Sequence, residues 1–183
     1  GHDWGAVVGW SAVLSDPSRI TSWTALSLPH PAAFSAALAD DPDQQDRSSY
    51  VDFFQTPWLP ETVFSFNNFS LLKTLLGGMS DEKMKEYISV FSEPGAMTSA
   101  LNWYRALGDD LGFNSDDANF LEVNTPTLFM WGNRDASVGR VAIDGMTEFM
   151  KGPYTNIELD AGHWLFVDQP ERVISEILIH IDQ

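Results

Sequence analysis

The chain has 183 residues, 44% of them hydrophobic, enough apolar material for a core of ordinary domain size and a soluble globular composition. Ten Lys and Arg against 26 Asp and Glu give a formal net charge of -16, which repels phosphate backbones and anionic membrane surfaces, so no nucleic-acid partner is expected. There is no cysteine for disulfide or thiolate chemistry. No stretch has transmembrane length, and His2, His30, His163 and His180 lack the grouping of a metal site, so neither a membrane span nor a metal is expected.

The chain opens on Gly1-His2-Asp3-Trp4-Gly5 and runs into the small, apolar stretch from Ala6 to Leu14. Small-x-nucleophile-x-small is the pattern of a nucleophile elbow, where small flanking residues permit a strained turn from strand to helix. Here Asp3 stands at the nucleophile position. An aspartate is already ionised at neutral pH and displaces a leaving group from an sp³ carbon without prior deprotonation, which points to carbon–oxygen or carbon–halogen bonds rather than ordinary esters. On these five residues alone, a helix-capping role for Asp3 fits equally well.

Gly5 to Leu14 is predicted as a helix stopped by Ser15-Asp16-Pro17, and Ile20 to Leu28 as a strand closed by Pro29-His30-Pro31. From residue 31 to about 120 the pattern changes to short helical runs: Ala32 to Leu38, Pro60 to Phe66, Phe69 to Leu76, Asp81 to Phe91 and Thr98 to Leu107. No good strand lies among them, and the segment reads as a helical insertion between two sheet strands. Ser80 is its one clear N-cap, with Lys83 where a capping box would carry Glu, and Asp40-Asp41-Pro42-Asp43 reads as a solvated turn. Thr127 to Trp131 is then a buried strand leading into Gly132-Asn133-Arg134-Asp135. Tyr154 to Leu159 reads as a second strand, ending in Asp160-Ala161-Gly162-His163-Trp164, and Pro170 opens a closing helix over Glu171 to Ile181. Asp168 reads as a polar residue leading into that helix.

The order is nucleophile, acid, histidine, each at the turn beyond a predicted strand, which is where open α/β sheets carry their chemistry. The fold class is therefore α/β: a mostly parallel sheet flanked by helices. The expected parts are a hydrolase core over 1–30, a helical cap over 31–120, and the rest of the core over 121–183. An elbow needs an entering strand and its helices need neighbouring strands, so the N-terminal strands are expected from a segment outside this chain.

With these motifs the chain resembles, along its whole length, the epoxide hydrolase group of the α/β-hydrolase superfamily. The elbow Gly1-His2-Asp3-Trp4-Gly5 is similar to that group and to haloalkane dehalogenases alike, whereas Leu101-Asn102-Trp103-Tyr104-Arg105 and Ser49-Tyr50-Val51-Asp52-Phe53-Phe54-Gln55-Thr56-Pro57 resemble the cap segments that hold oxygen-binding tyrosines. The resemblance implies an Asp3 nucleophile, His163 as base for a water, Asp135 orienting it, and Tyr50 and Tyr104 donating to the epoxide oxygen. It implies the Trp4 N–H as one oxyanion donor, the other coming from an N-terminal segment of the same hydrolase. Trp4, Phe53, Phe54, Trp58 and Trp103 are candidates for an apolar substrate slot, with core packing as the alternative for each. The implied partners are a small apolar epoxide and water, with no cofactor. A dehalogenase would share the triad and hold halide with donors such as the Trp4 indole; a halide needs no proton, and the cap tyrosines argue against it. A catalytically silent binding module on the same fold is the remaining alternative.

Overall fold

The computed structural model describes residues 1–76, 79–107 and 121–182. In chain order the helices and strands are α1 (Trp4–Ser15), β1 (Trp23–Leu26), α2 (Pro31–Asp40), α3 (Pro42–Ser48), α4 (Tyr50–Gln55), α5 (Leu59–Leu75), α6 (Asp81–Phe91), α7 (Ala96–Ala106), β2 (Thr127–Gly132), α8 (Arg140–Asp144), β3 (Tyr154–Leu159), α9 (Leu165–Asp168) and α10 (Pro170–Ile181). Two compact units emerge: Gly1–Ser48 with Leu111–Gln183, and Ser49–Asp110. The expected insertion over 31–120 thus begins later, because α2 and α3 belong to the first unit, where Ala33 and Ala37 enter its core. Its expected end at residue 120 lies outside the described residues.

Among the described residues the strands of the first unit form one parallel sheet in the order β1-β2-β3, with Trp23 beside Thr127 and Thr127 beside Tyr154. β2 is the middle strand and all six of its residues are buried, as a parallel strand covered on both faces requires. Its alternation sorts the core into two layers. Phe129 and Trp131 face Trp10, Val13, Ala142 and Met146, while Leu128 and Met130 face Leu165 and Val173. β1 is shorter than the predicted Ile20–Leu28, because the chain leaves extended geometry at Ser27, whose φ is 65°.

The acidic stretch around Asp41 is a helix start rather than a solvated turn. The Asp41 carboxylate accepts the backbone N–H of Asp43 at 3.3 Å and of Gln44 at 3.2 Å, satisfying donors that open α3. In the second unit, α4 to α7 pack around Phe64, Leu72, Met97 and Leu101, and no strand occurs among its described residues. Asn67, Asn68 and Phe69 have φ of 48°, 53° and 60°, so α5 is two helices in series, broken where the sequence separates Pro60–Phe66 from Phe69–Leu76. Ser80 caps α6, accepting from Lys83 N–H at 3.4 Å. No helix among the described residues is long and apolar enough to cross a membrane.

His30 caps α2, its Nδ1 accepting the Ala32 N–H at 3.2 Å, and its ring stacks on Phe149 with centroids 4.4 Å apart. Burial pushes its pKa down from 6.5 to about 4, so the native ring is neutral. Between those values the unfolded chain binds the extra proton, and stability must fall as pH drops from about 6.5 to about 4. Denaturant midpoints measured across that window should decline, and His30→Asn, which keeps a capping side chain but does not titrate, should flatten the decline. An unchanged slope would place the acid sensitivity elsewhere.

Candidate active site

The loops after β2 and β3 and the turn at Asp3, beside a parallel bridge from His2 to Leu26, build the site. Gly1 and His2 lie alongside β1, with Leu26 N–H donating to the Gly1 carbonyl at 2.8 Å and His2 bridged to Leu26. Asp3 follows at φ 51° and ψ −124°, a conformation that non-glycine residues avoid and that surrounding structure must enforce. At the end of β2, a Cβ on Gly132 would lie 2.4 Å from the carbonyl oxygens of both Ala161 and Gly162, so glycine alone lets the two following loops touch. Arg134 N–H then donates to the Ala161 carbonyl at 3.0 Å.

These loops bring Asp3, Asp135 and His163 together. His163 Nδ1 donates to Asp135 Oδ2 at 2.9 Å, and Nε2 meets Asp3 Oδ1 at 3.0 Å. The Asp135 side chain is fully buried and its Oδ1 accepts the N–H of Ser137 at 2.8 Å and of Val138 at 3.1 Å. Asp3 Oδ2 accepts the Trp4 N–H at 2.5 Å, so the capping and elbow readings of Asp3 describe one geometry. Burial alone would lower the His163 pKa, but the hydrogen bonds and charges of Asp135 and Asp3 prevail and raise it from 6.5 to about 9. Burial likewise works against an ionised Asp3, and the His163 hydrogen bond and charge with the Trp4 N–H overcome it, holding the carboxyl below its usual range. The raised pKa favours a protonated His163 ring hydrogen-bonded to both Asp3 and Asp135.

Residues without a sequence signature brace this arrangement. Gln44 on α3 is wholly buried; its Nε2 donates to the Ser137 carbonyl at 2.9 Å and its Oε1 accepts the Gly139 N–H at 2.8 Å. Arg47 donates to the Asp135 carbonyl at 2.5 Å and pairs with Asp43 at 2.7 Å. Asp168 is more than a lead into α10, since its Oδ2 accepts the Gly162 N–H at 2.7 Å and fixes the turn before His163. Gln44 and Arg47 act across segments that sequence spacing does not connect, whereas Asp168 reaches back six residues within its own loop.

In the second unit Tyr50 on α4 and Tyr104 on α7 have ring centroids 6.1 Å apart. Phe54 contacts both edge-on, at 5.1 Å and 4.8 Å, and Phe53 packs against Phe64. Arg105 holds α7 to α5 with a two-toothed grip on Glu61, at 2.7 and 2.9 Å, and donates to the Thr56 carbonyl at 2.9 Å. That grip draws the Glu61 pKa down to about 2. Trp58 is 74% and Trp103 52% exposed, so neither is a core residue, while Trp4 is half-buried beside Asp3.

A family model described as the alpha/beta hydrolase fold matches residues 1–170. The chain belongs to that family. Epoxide hydrolase 4 of Homo sapiens is 34% identical over 186 residues, covering 94% of this chain and 50% of that protein. Epoxide hydrolase 3 of Xenopus tropicalis is 31% identical over 185 residues, covering 94% and 49%. A crystal structure of a variant epoxide hydrolase from Bacillus megaterium superposes with a TM-score of 0.87 at 26% identity, covering all of this chain and 68% of that one. The chain spans about half the length of the curated relatives it matches.

For this α/β-hydrolase the imidazolium sets an alkaline limit. The folded His163 binds its proton up to about pH 9 and the unfolded one only to about 6.5, so its contribution is complete below 6.5 and is lost as pH rises through 9. Melting midpoints should fall over that window. Asp3→Asn, which removes one of the two charges, should make the fall smaller. An identical fall in the variant would mean that Asp3 does not hold the proton on His163.

Proposed function

We propose that this chain carries the catalytic machinery of an epoxide hydrolase, which converts a small apolar epoxide and water to a vicinal diol through an ester on Asp3. One observation carries the reading: an elbow aspartate, not a serine, presents Oδ1 to His163 Nε2 at 3.0 Å while Oδ2 is occupied by the Trp4 N–H. The two oxygens are already differentiated. The relatives' names and the solved Bacillus megaterium structure, each an epoxide hydrolase, support the same class.

In this reaction Asp3 Oδ1 attacks a ring carbon, the ring C–O bond breaks, and Tyr50 and Tyr104 bind the departing oxygen and supply its proton. The Ser49–Asp110 unit acts as the cap that carries these phenols, with Phe53, Phe54, Trp58 and Trp103 as candidates for its apolar substrate surface. Esterification removes the Asp3 charge, and with it one of the two supports for the His163 proton. His163 is then free to shed that proton to solvent, from which the tyrosinate left by ring opening takes its own proton back, and to act as the base. It takes a proton from water as the oxygen adds to the Asp3 carbonyl carbon, Asp135 steadies the imidazolium, and Oδ2 carries the oxyanion against the Trp4 N–H. Collapse expels the diol and restores the carboxylate. A second oxyanion donor is proposed from an N-terminal segment of the same hydrolase. No cofactor takes part.

A single turnover in ¹⁸O-water should place label in Asp3 and none in the diol, and His163→Gln should accumulate an adduct on the Asp3 peptide detectable by mass spectrometry. Label confined to the diol would establish direct water attack and end this reading.

The phenols have their own test. Tyr104→Phe and Tyr50→Phe keep the rings and remove one donor each, so each should slow ester formation by roughly one to three powers of ten, the scale of a lost transition-state donor. Rapid-quench alkylation of Asp3 at the wild-type rate in both variants would return them to a packing role.

A further inference from the structure

Two side chains outside the triad converge on a single atom within it. The main-chain carbonyl oxygen of His163 accepts from Ser27 Oγ at 2.7 Å and from His2 Nε2 at 2.9 Å. A carbonyl oxygen only accepts, so both side chains donate and His2 must carry its proton on Nε2. The His2 ring is also fixed by aromatic neighbours, with centroids 4.8 Å from His163, 5.0 Å from Trp164 and 4.9 Å from Phe166.

Ser27 is wholly buried, and its φ of 65° is a left-handed conformation that costs a non-glycine residue free energy. Such a position persists only where the surroundings enforce it, and they do: Ser27 N–H donates to the Met130 carbonyl at 2.9 Å, and Leu28 N–H turns back to Leu26 at 2.8 Å. The effect is to swing the hydroxyl off the end of β1 and onto the loop that follows β3. The loops after β2 and β3 carry Asp135 and His163, whereas the residue after β1 is this serine.

The anchor acts at one stage of the proposed reaction. Before alkylation, His163 is held from both sides, by Asp135 on Nδ1 and by Asp3 on Nε2. After alkylation the Asp3 charge is gone, and the aim of Nε2 at its water depends on Asp135 and on the backbone from which the ring hangs. We infer that Ser27, with His2, is a positioning residue that holds His163 on target for ester hydrolysis and contributes little to ester formation. This inference rests on the covalent mechanism proposed above.

The test uses the protein expressed from its whole reading frame and measures the two half-reactions separately, alkylation of Asp3 by rapid quench and decay of the ester in single turnover. Ser27→Gly removes the hydroxyl while favouring the left-handed backbone, so the fold should survive, as a melting curve will verify. It should slow ester decay roughly tenfold, in line with one lost buried hydrogen bond on the base, and leave alkylation near the wild-type rate. His2→Phe keeps the ring stack without a donor and should slow decay as well, whereas His2→Gln, whose amide can donate to the same carbonyl, should restore it. Decay at the wild-type rate in Ser27→Gly, or an equal loss in both steps, would overturn the inference. Absence of any Asp3 ester in the wild-type protein is a different result: it removes the covalent reading first, and this inference falls with it.

Discussion

Everything around the site serves one contact: an imidazolium held within hydrogen-bond distance of two carboxylates that come from different loops. Two negative groups near one another in a partly buried site repel, and each disfavours the ionisation of the other. A proton on the ring between them turns that repulsion into attraction on both sides. In the proposed reaction the same proton acts as a latch, because alkylating Asp3 removes half of its electrostatic support. On that proposal His163 is a weak base while Asp3 is free and becomes available once Asp3 has been esterified.

The sheet is what makes such a contact affordable in geometry. β2 is buried on both faces and sends alternate side chains into the two core layers, so its end at Gly132 is fixed by packing rather than by the loop itself. From that fixed point the acid loop is tied down along its length: Gln44 grips it at Ser137 and Gly139, Arg47 at Asp135, and the Trp131 indole donates to the Val138 carbonyl at 3.2 Å. The histidine loop is tied by Asp168 on one side and by Gly132's missing side chain on the other. Each tie is a hydrogen bond or close approach of modest energy, and their joint effect is positional.

What the sequence made legible was local or ordered: the elbow pattern, the apolar run of β2 and the shorter strand signal of β3, the breakers that end α1, and the order of Asp3, Asp135 and His163. Those signals depend on neighbours in the chain, where periodicity and turn chemistry speak directly. The start of the second unit is hidden in the sequence because α2 is helical like the segments after it, and only its packing with the first core tells them apart. α3 hid behind an acidic turn in which Asp41 is its cap. Ser27, Gln44 and Arg47 carried no pattern at all, since a hydroxyl, an amide and a guanidinium gain meaning only from the carbonyls and N–H groups they meet across the fold.

The order β1-β2-β3 also has a consequence for how the molecule assembles. β1 and β2 pair in register although roughly a hundred residues separate them, and closing a loop of that length costs entropy that grows with the logarithm of its length. Much of the intervening chain is the Ser49–Asp110 unit, whose core is its own and whose long-range contacts, such as Arg105 with Thr56, still span fewer residues than β1 to β2. Once that unit condenses, the free loop is far shorter than the sequence separation implies. If the helices condense first, the entropy lost in pairing the two strands is smaller, and a segment that contributes no strand lowers the cost of forming the sheet.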